Sequence, residues 1–261
     1  MDASTTTDSA TSHTAAFDAL MPPAIARKAE SVGAAKASTP LARLFTLAVL
    51  GGAFIALGAN FATVATTGAE AAIGTGPART LGGLVFSVGL VLVVVAGAEL
   101  FTGNNLMVMA CVARRLSVSA LLRNWGVVYV GNLVGAVGIA GLVFLTGQYE
   151  SAGGAIGQHA LNGATAKVTL EPLEAIARGV LANILVCLAV WLCLAARSVT
   201  DKILAVVLPI SAFVAGGFEH SVANMYLLPS ALFVKSGAPT RSGRRAVPRR
   251  SRTPTSPGPQ P

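Results

Sequence analysis

The sequence predicts an all-α membrane protein, a helical bundle whose second and fifth spans are broken in mid-run. Three observations predict it. Of 261 residues, 53% are hydrophobic and only 11% are charged, against the roughly 25% charged residues of an average soluble domain. Apolar runs recur along the chain, each long enough to cross a hydrocarbon core of about 30 Å. Two of these runs carry a similar polar interruption, Gly97-Ala98-Glu99-Leu100-Phe101-Thr102-Gly103-Asn104-Asn105 and Gly216-Gly217-Phe218-Glu219-His220-Ser221-Val222-Ala223-Asn224. Matched breaks in corresponding helices are the mark of inverted repeats built around a site at mid-membrane.

Residues 1–40 read as an N-terminal segment. The first 20 are rich in Ser, Thr, Ala and Asp and poor in large apolar side chains, so no packed structure is expected there. Pro22 to about Ala37 reads as a short amphipathic helix, with Ile25, Ala29 and Val32 on one face and Arg27, Lys28 and Lys36 elsewhere. It is too polar to span and is expected at the membrane surface or over a pore. Residues 41–234 read as the transmembrane domain. Five spans are expected, at about Leu41–Ala65, Thr80–Val112, Trp125–Thr146, Leu173–Ala195 and Ile203–Val234. The second is too long for one helix of about 20 residues, and its excess contains the first polar interruption. The segments 66–79 and 147–172 read as connecting loops. The first apolar run is long enough to stay in the membrane, so no signal peptide is expected.

Residues 235–261 hold Lys235, six Arg, six Pro and no acidic residue. They read as a disordered tail, which a frameshift in the coding sequence would explain. The net charge of +8 belongs largely to this tail; the other residues balance twelve basic against eleven acidic side chains. No surface for nucleic acid follows from it. Arg114, Arg115 and Arg123 follow the second span and Arg197 and Lys202 the fourth. The opposite loops hold only Arg79 and Lys167. By the positive-inside rule the N terminus and the Arg-rich loops lie in the cytoplasm, as for a multi-pass protein of the inner cell membrane. Five spans then place the basic tail outside, against the same rule. Cys111, Cys187 and Cys193 lie in apolar segments without metal-ligand spacing and read as small buried side chains. No metal or cofactor is expected.

Glu219 and His220 carry the chemistry of the second break. A charge at bilayer depth costs at least roughly 2.5–3.5 kcal/mol, so it persists only if paired, wetted or needed. Glycines beside each break let the backbone leave the helix. A histidine there is either a proton carrier or a packed ring bonded to backbone. Asn183, inside the fourth span, is either pore lining or helix–helix glue. His13 and His159 fall in polar loops and carry no signal.

Several motifs in order make a resemblance. They are Phe17-Asp18-Ala19-Leu20-Met21-Pro22-Pro23, Gly97-Ala98-Glu99-Leu100-Phe101-Thr102-Gly103, Asn124-Trp125 with Gly131-Asn132-Leu133-Val134-Gly135, Gly179-Val180-Leu181-Ala182-Asn183, and Phe218-Glu219-His220-Ser221-Val222-Ala223-Asn224-Met225. From about Phe17 to Val234 the chain resembles the formate/nitrite transporter family, and Ala195-Ala196-Arg197-Ser198 with Asp201-Lys202 looks closer to the formate branch. The resemblance implies an aquaporin-like six-helix protomer, a homopentamer and one anion pore per protomer. It implies a loop at Glu99–Thr102, with His220 at the pore centre. Apolar constrictions are implied at Phe86 and Phe213 toward the outside and at Leu90, Leu100 and Phe101 toward the cytoplasm. Lys167 matches a basic residue of the outer vestibule; Asn183 and Asn224 match polar lining. The family's sixth helix has no counterpart in this sequence, which shows five of six expected spans.

The expected function is therefore transport of a small monovalent anion, formate first, with His220 as hydrogen-bond donor or proton donor and protons as possible co-substrate. Glu219 faces an anion path with the wrong sign, so it is expected to brace the break; Thr102 is a hydrogen-bond switch or a cap. A nitrite channel and a truncated copy that does not transport are the alternatives. An enzyme is not expected: the chain has no His-Glu-x-x-His, no Gly-x-Ser-x-Gly and no nucleotide-binding loop.

Overall fold

The computed structural model describes residues 19–237, and all of their regular structure is helical. The expectations for residues 1–18 and for the tail beyond residue 237 lie outside the described residues. Helix α1 runs over Pro22–Ala37, with Pro in its first turn, where no backbone donor is lost. Then come α2 (Leu41–Thr66), the single turn α3 (Ala69–Ile73) and α4 (Thr75–Ala96). Beyond the first break lie α5 (Phe101–Asn104), a 3-10 turn and α6 (Val108–Val112). Helix α7 (Val118–Leu145) is followed by α8 (Ala155–Val168) and α9 (Pro172–Ala195). The last span is two half-helices, α10 (Val199–Ala215) and α11 (Ser221–Gly237). Helices α2, α4, α7 and α9 are each long and apolar enough to cross a membrane.

Several boundaries differ from the hydropathy reading, because caps set helix ends and hydropathy does not. Helix α7 starts a turn or two before Trp125, since the Ser117 hydroxyl accepts from Ala120 N–H at 3.2 Å. Segment 147–172 is not a plain loop; it contains α8, whose polar composition hid it. The buried face of α1 holds Ile25, Ala29 and Gly33, while Val32 is exposed. The non-helical part of the first break is Gly97–Leu100, so Thr102 lies in α5 rather than in a loop. Helix α11 runs to Gly237, past the expected start of the tail at 235.

Packing follows from small residues at the crossings. Helix α2 lies against α7 and α4, α4 against α10, and α11 against α7. A Cβ on Gly135 would sit 1.9 Å from Val49 O, and one on Gly52 would sit 1.9 Å from Asn132 O, so α2 and α7 touch backbone to backbone. The buried core gathers Ile55, Phe86, Leu90, Val186, Val206, Ile210, Phe213 and Tyr226 between the two breaks.

The halves run in opposite directions. The start of α4 and the start of α9 line a cavity under α8, which we term the α8 mouth. The start of α10, the end of α9 and helix α1 line a second cavity, the α1 mouth. Glu219, Asn224 and Gly217 each follow Glu99, Asn104 and Gly97 by 120 residues. The sequence repeat is therefore an inverted repeat in space.

Candidate functional site

Each break is made the same way. Gly97 and Gly217 have φ of +79° and +68°, the left-handed region that glycine enters without strain. The next N–H reaches back over five residues, Ala98 to Val93 O at 3.0 Å and Phe218 to Phe213 O at 3.1 Å. The glutamate N–H then bonds a neighbouring span, Glu99 to Leu47 O at 3.0 Å and Glu219 to Arg178 O at 3.3 Å. In an apolar medium such backbone groups must be satisfied inside the protein.

The glutamates are neutralised in matching triads. At the α8 mouth Lys167 Nζ donates to both Glu219 oxygens, at 2.9 and 2.8 Å, and Asn224 Nδ2 donates to Glu219 Oε2 at 2.8 Å. At the α1 mouth Lys36 Nζ donates to Glu99 Oε2 and to Asn104 Oδ1, both at 2.8 Å, and Asn104 Nδ2 donates to Glu99 Oε2 at 2.7 Å. The Glu219 carboxylate thus accepts from side chains rather than from backbone N–H groups of its own break. The α8 cavity, about 340 Å³, is also lined by Arg79, Arg178, Glu70 and His159. The α1 cavity, about 370 Å³, is lined by Lys28, Lys36, Arg197 and Lys202 against the single acid Glu99.

His220 lies between the mouths. Its ring stacks on Phe213 with centroids 5.7 Å apart, and Phe86 stands edge-on to Phe213 at 5.5 Å. The ring caps α11: Nδ1 accepts from Ala223 N–H at 3.0 Å. Nδ1 therefore carries no hydrogen, and in the neutral ring the proton sits on Nε2. Nε2 lies 3.0 Å from Thr102 Oγ1, so it donates to that oxygen. The hydroxyl keeps its own proton for another acceptor. Leu90 and Leu100 are buried on the α1 side of this point and line the α1 cavity.

The structure does not bring every candidate residue to one place. Phe86, Phe213, His220, Lys167, Glu219 and Asn224 share the α8 cavity. Phe101 turns toward α7, with its ring 5.0 Å from that of Tyr129 and 6.2 Å from that of Trp125. Phe101 and Asn183 instead line a groove beside α9, together with Thr102 and His220. Asn183 Nδ2 reaches Cys187 Sγ at 3.7 Å, and its Oδ1 is buried without a partner among the described residues. Sequence reasoning missed Lys36, Asn104, Asn132 and His159. Asn132 Nδ2 donates to Ala48 O at 2.7 Å and Glu99 O at 2.9 Å, and its Oδ1 accepts from Phe101 N–H at 2.9 Å, which bolts the first break to α7 and α2. His159 Nε2 lies 3.0 Å from Thr66 Oγ1 at the α8 mouth. The repeated spacing from Glu to Asn could have found Asn104; Lys36 gave no signal, since its partner is 63 residues away.

Comparison with known proteins agrees with this architecture. Residues 23–246 match the family described as Formate/nitrite transporter. The chain is 43% identical over 222 residues to the "Formate channel FocA" of Escherichia coli (strain K12), covering 85% of this chain and 78% of that one. It is 42% identical over 224 residues to the "Probable formate transporter" of Methanothermobacter thermautotrophicus, covering 80% and 82%. Among solved structures, a "Pentameric formate channel with formate bound" superposes with a TM-score of 0.71 at 40% identity, over 76% of this chain and 78% of that one. An "FNT family ion channel" superposes with a TM-score of 0.72 at 28% identity, over 81% and 84%. This is a family of transporters and not of enzymes, and the chain belongs to it: it is a member of the formate/nitrite transporter family.

Proposed function

We propose that the protein is a homopentameric channel of the inner cell membrane for small monovalent anions, formate first, with one pore per protomer between the two mouths. Residues 41–234 form the channel domain, and the N terminus lies in the cytoplasm. The matching Lys-Glu-Asn triads on either side of one buried histidine carry this reading. Support for the orientation comes from Arg115, which lies 3.2 Å from Glu30 of α1, and from Lys28, which donates to Leu194 O at 2.9 Å. Arg115, Arg197 and Lys202, loop cations that the positive-inside rule uses, thus lie at the α1 end.

The physical problem is a dehydrated carboxylate between aromatic and leucine side chains. Each mouth offers cations that raise the local anion concentration, with its glutamate already neutralised. Asn224 and the N–H groups at the starts of α5 and α11 replace part of the hydration shell. At the centre the His220 Nε2–H is taken by Thr102 Oγ1, which leaves the Thr102 hydroxyl proton as the donor for an anion. Phe86 and Phe213 close one side, and Leu90 and Leu100 the other; Phe101 and Asn183 contribute from the groove beside α9.

As bonded, His220 is a donor and not an acid. A neutral imidazole that gave up its only proton would become an anion itself. Proton-coupled flux therefore needs Nδ1 protonated, which breaks the bond from Ala223 N–H. Asn at 220 can accept from Ala223 N–H but cannot titrate. Formate flux into proteoliposomes carrying His220→Asn is expected to persist while its pH dependence disappears. A variant with the wild-type pH profile would remove His220 from proton handling. Wild-type vesicles that pass nitrite much faster than formate, or neither anion, would overturn the substrate assignment.

A further inference from the structure

We infer that Arg178, in the first turns of α9, is a positioning residue that fixes the second break and through it the orientation of His220. The inference rests on the channel reading given under Proposed function and concerns a side chain outside the two triads.

The two breaks are braced differently. Asn132 holds the first, from α7, through Glu99 O and Phe101 N–H. At the equivalent Glu219 O and Ser221 N–H no side chain among the described residues bonds. Arg178 takes up the load at another point. Its Nη1 donates to Gly217 O at 3.2 Å, and its own backbone oxygen accepts from Glu219 N–H at 3.3 Å. Nη2 pairs with Glu174 one turn earlier on the same helix, which sets the plane of the guanidinium. The equivalent backbone acceptor of the first break belongs to Leu47, whose side chain cannot donate. One residue of α9 thus clamps the second break on either side of Phe218. Gly217 O lies just beyond the carbonyl end of α10, where a cation is favoured. His220 follows three residues later, and its ring holds Thr102 only if the intervening backbone stays in place.

A cation at this mouth could instead act by charge alone, and the variants separate the two. Arg178→Leu removes fork and charge; Arg178→Lys keeps the charge, but one ammonium does not span Gly217 O and Glu174 as a planar fork does. With positioning, amide hydrogen exchange of 217–220 quickens in both variants while that of 97–100 does not change. Formate Vmax per folded protein falls about tenfold in Arg178→Leu, the loss of a charged hydrogen bond, and KM moves less than about twofold. Arg178→Lys lies closer to Leu than to wild type. Wild-type behaviour of Arg178→Lys, or unchanged exchange at 217–220 in either variant, would overturn the assignment. If Arg178→Leu does not fold, Arg178→Lys and Glu174→Gln carry the same comparison. Absence of formate flux in the wild type would sink the channel reading alone, because the exchange measurement does not depend on which anion moves.

Discussion

Glu219 shows how a carboxylate can sit beside an anion path. Lys167 holds both its oxygens and Asn224 holds one of them again, so the pair presents little net charge to an entering anion. The two partners then have opposite predicted effects. Glu219→Gln leaves the ammonium without its counter-ion, and the apparent KM for formate falls with a steeper dependence on ionic strength. Lys167→Met leaves a bare carboxylate, and flux falls with a raised KM. The pair is partly buried, with side-chain exposures of 22% and 12%, so salt weakens but does not abolish either effect. Initial rates at two salt concentrations check both signs; shifts in the same direction would show that the pair acts only as a brace. Asn132 is a plain structural residue by contrast. It makes three hydrogen bonds at zero exposure. Asn132→Ala strands a carbonyl and an N–H in the membrane interior, which costs about 1–3 kcal/mol, and thermal unfolding in detergent is expected to shift down accordingly.

At the scale of elements, the crossing of α2 and α7 is the tightest contact in the fold. Val49 O stands where the Cβ of residue 135 would be, so the two backbones cannot stay at this distance if residue 135 gains a side chain. Gly135→Leu is expected to abolish the assembled protein and Gly135→Ala to lower its melting temperature. Size-exclusion profiles of the detergent extract test this, and an unperturbed profile for Gly135→Leu would show that the crossing is softer than its geometry. The broken helices were legible because Gly, Glu, His and Asn stand out within apolar runs, and the two interruptions could be compared with each other. Helix α8 was not legible. Its sequence is polar and small, and its helicity is supported by packing against α11 rather than by a hydrophobic period. The same limit hid Lys36 in the triad at the α1 mouth. Lys36 lies on a helix that looks solvated, and only the fold brings it to Glu99 and Asn104. Asn183 was seen as polar lining or helix glue; its bond to Cys187 and its place beside α9 favour neither on sequence grounds, because the facing surface is set by tertiary packing.

Across the whole molecule, the apolar exterior is extensive and uneven. Within the most apolar stretch of α9 only 22% is buried, against 39% for α2 and 44% for α4. Leu173, Ile176, Val180, Ile184 and Leu188 are exposed at helical spacing along it. Beside this face runs a groove of about 400 Å³ that includes Thr102, Asn183, Glu219, His220 and Ser221. Two of these residues, Thr102 and His220, form the hydrogen-bonded pair at the proposed pore centre. An anion held there would be open to lipid along the groove unless protein covers it, because a bilayer offers no partner for the charge or for the buried Asn183 oxygen. Assembly into the proposed pentamer should therefore leave the groove inaccessible. Native mass spectrometry in detergent is expected to show five protomers of 26.3 kDa each. In a protein with its three native cysteines replaced, a single cysteine at Ile184 should resist a membrane-permeant maleimide in the assembled form and react once the assembly is dissociated. Equal labelling of both forms would mean that the groove stays open to lipid, and the conduction path would then have to bypass His220.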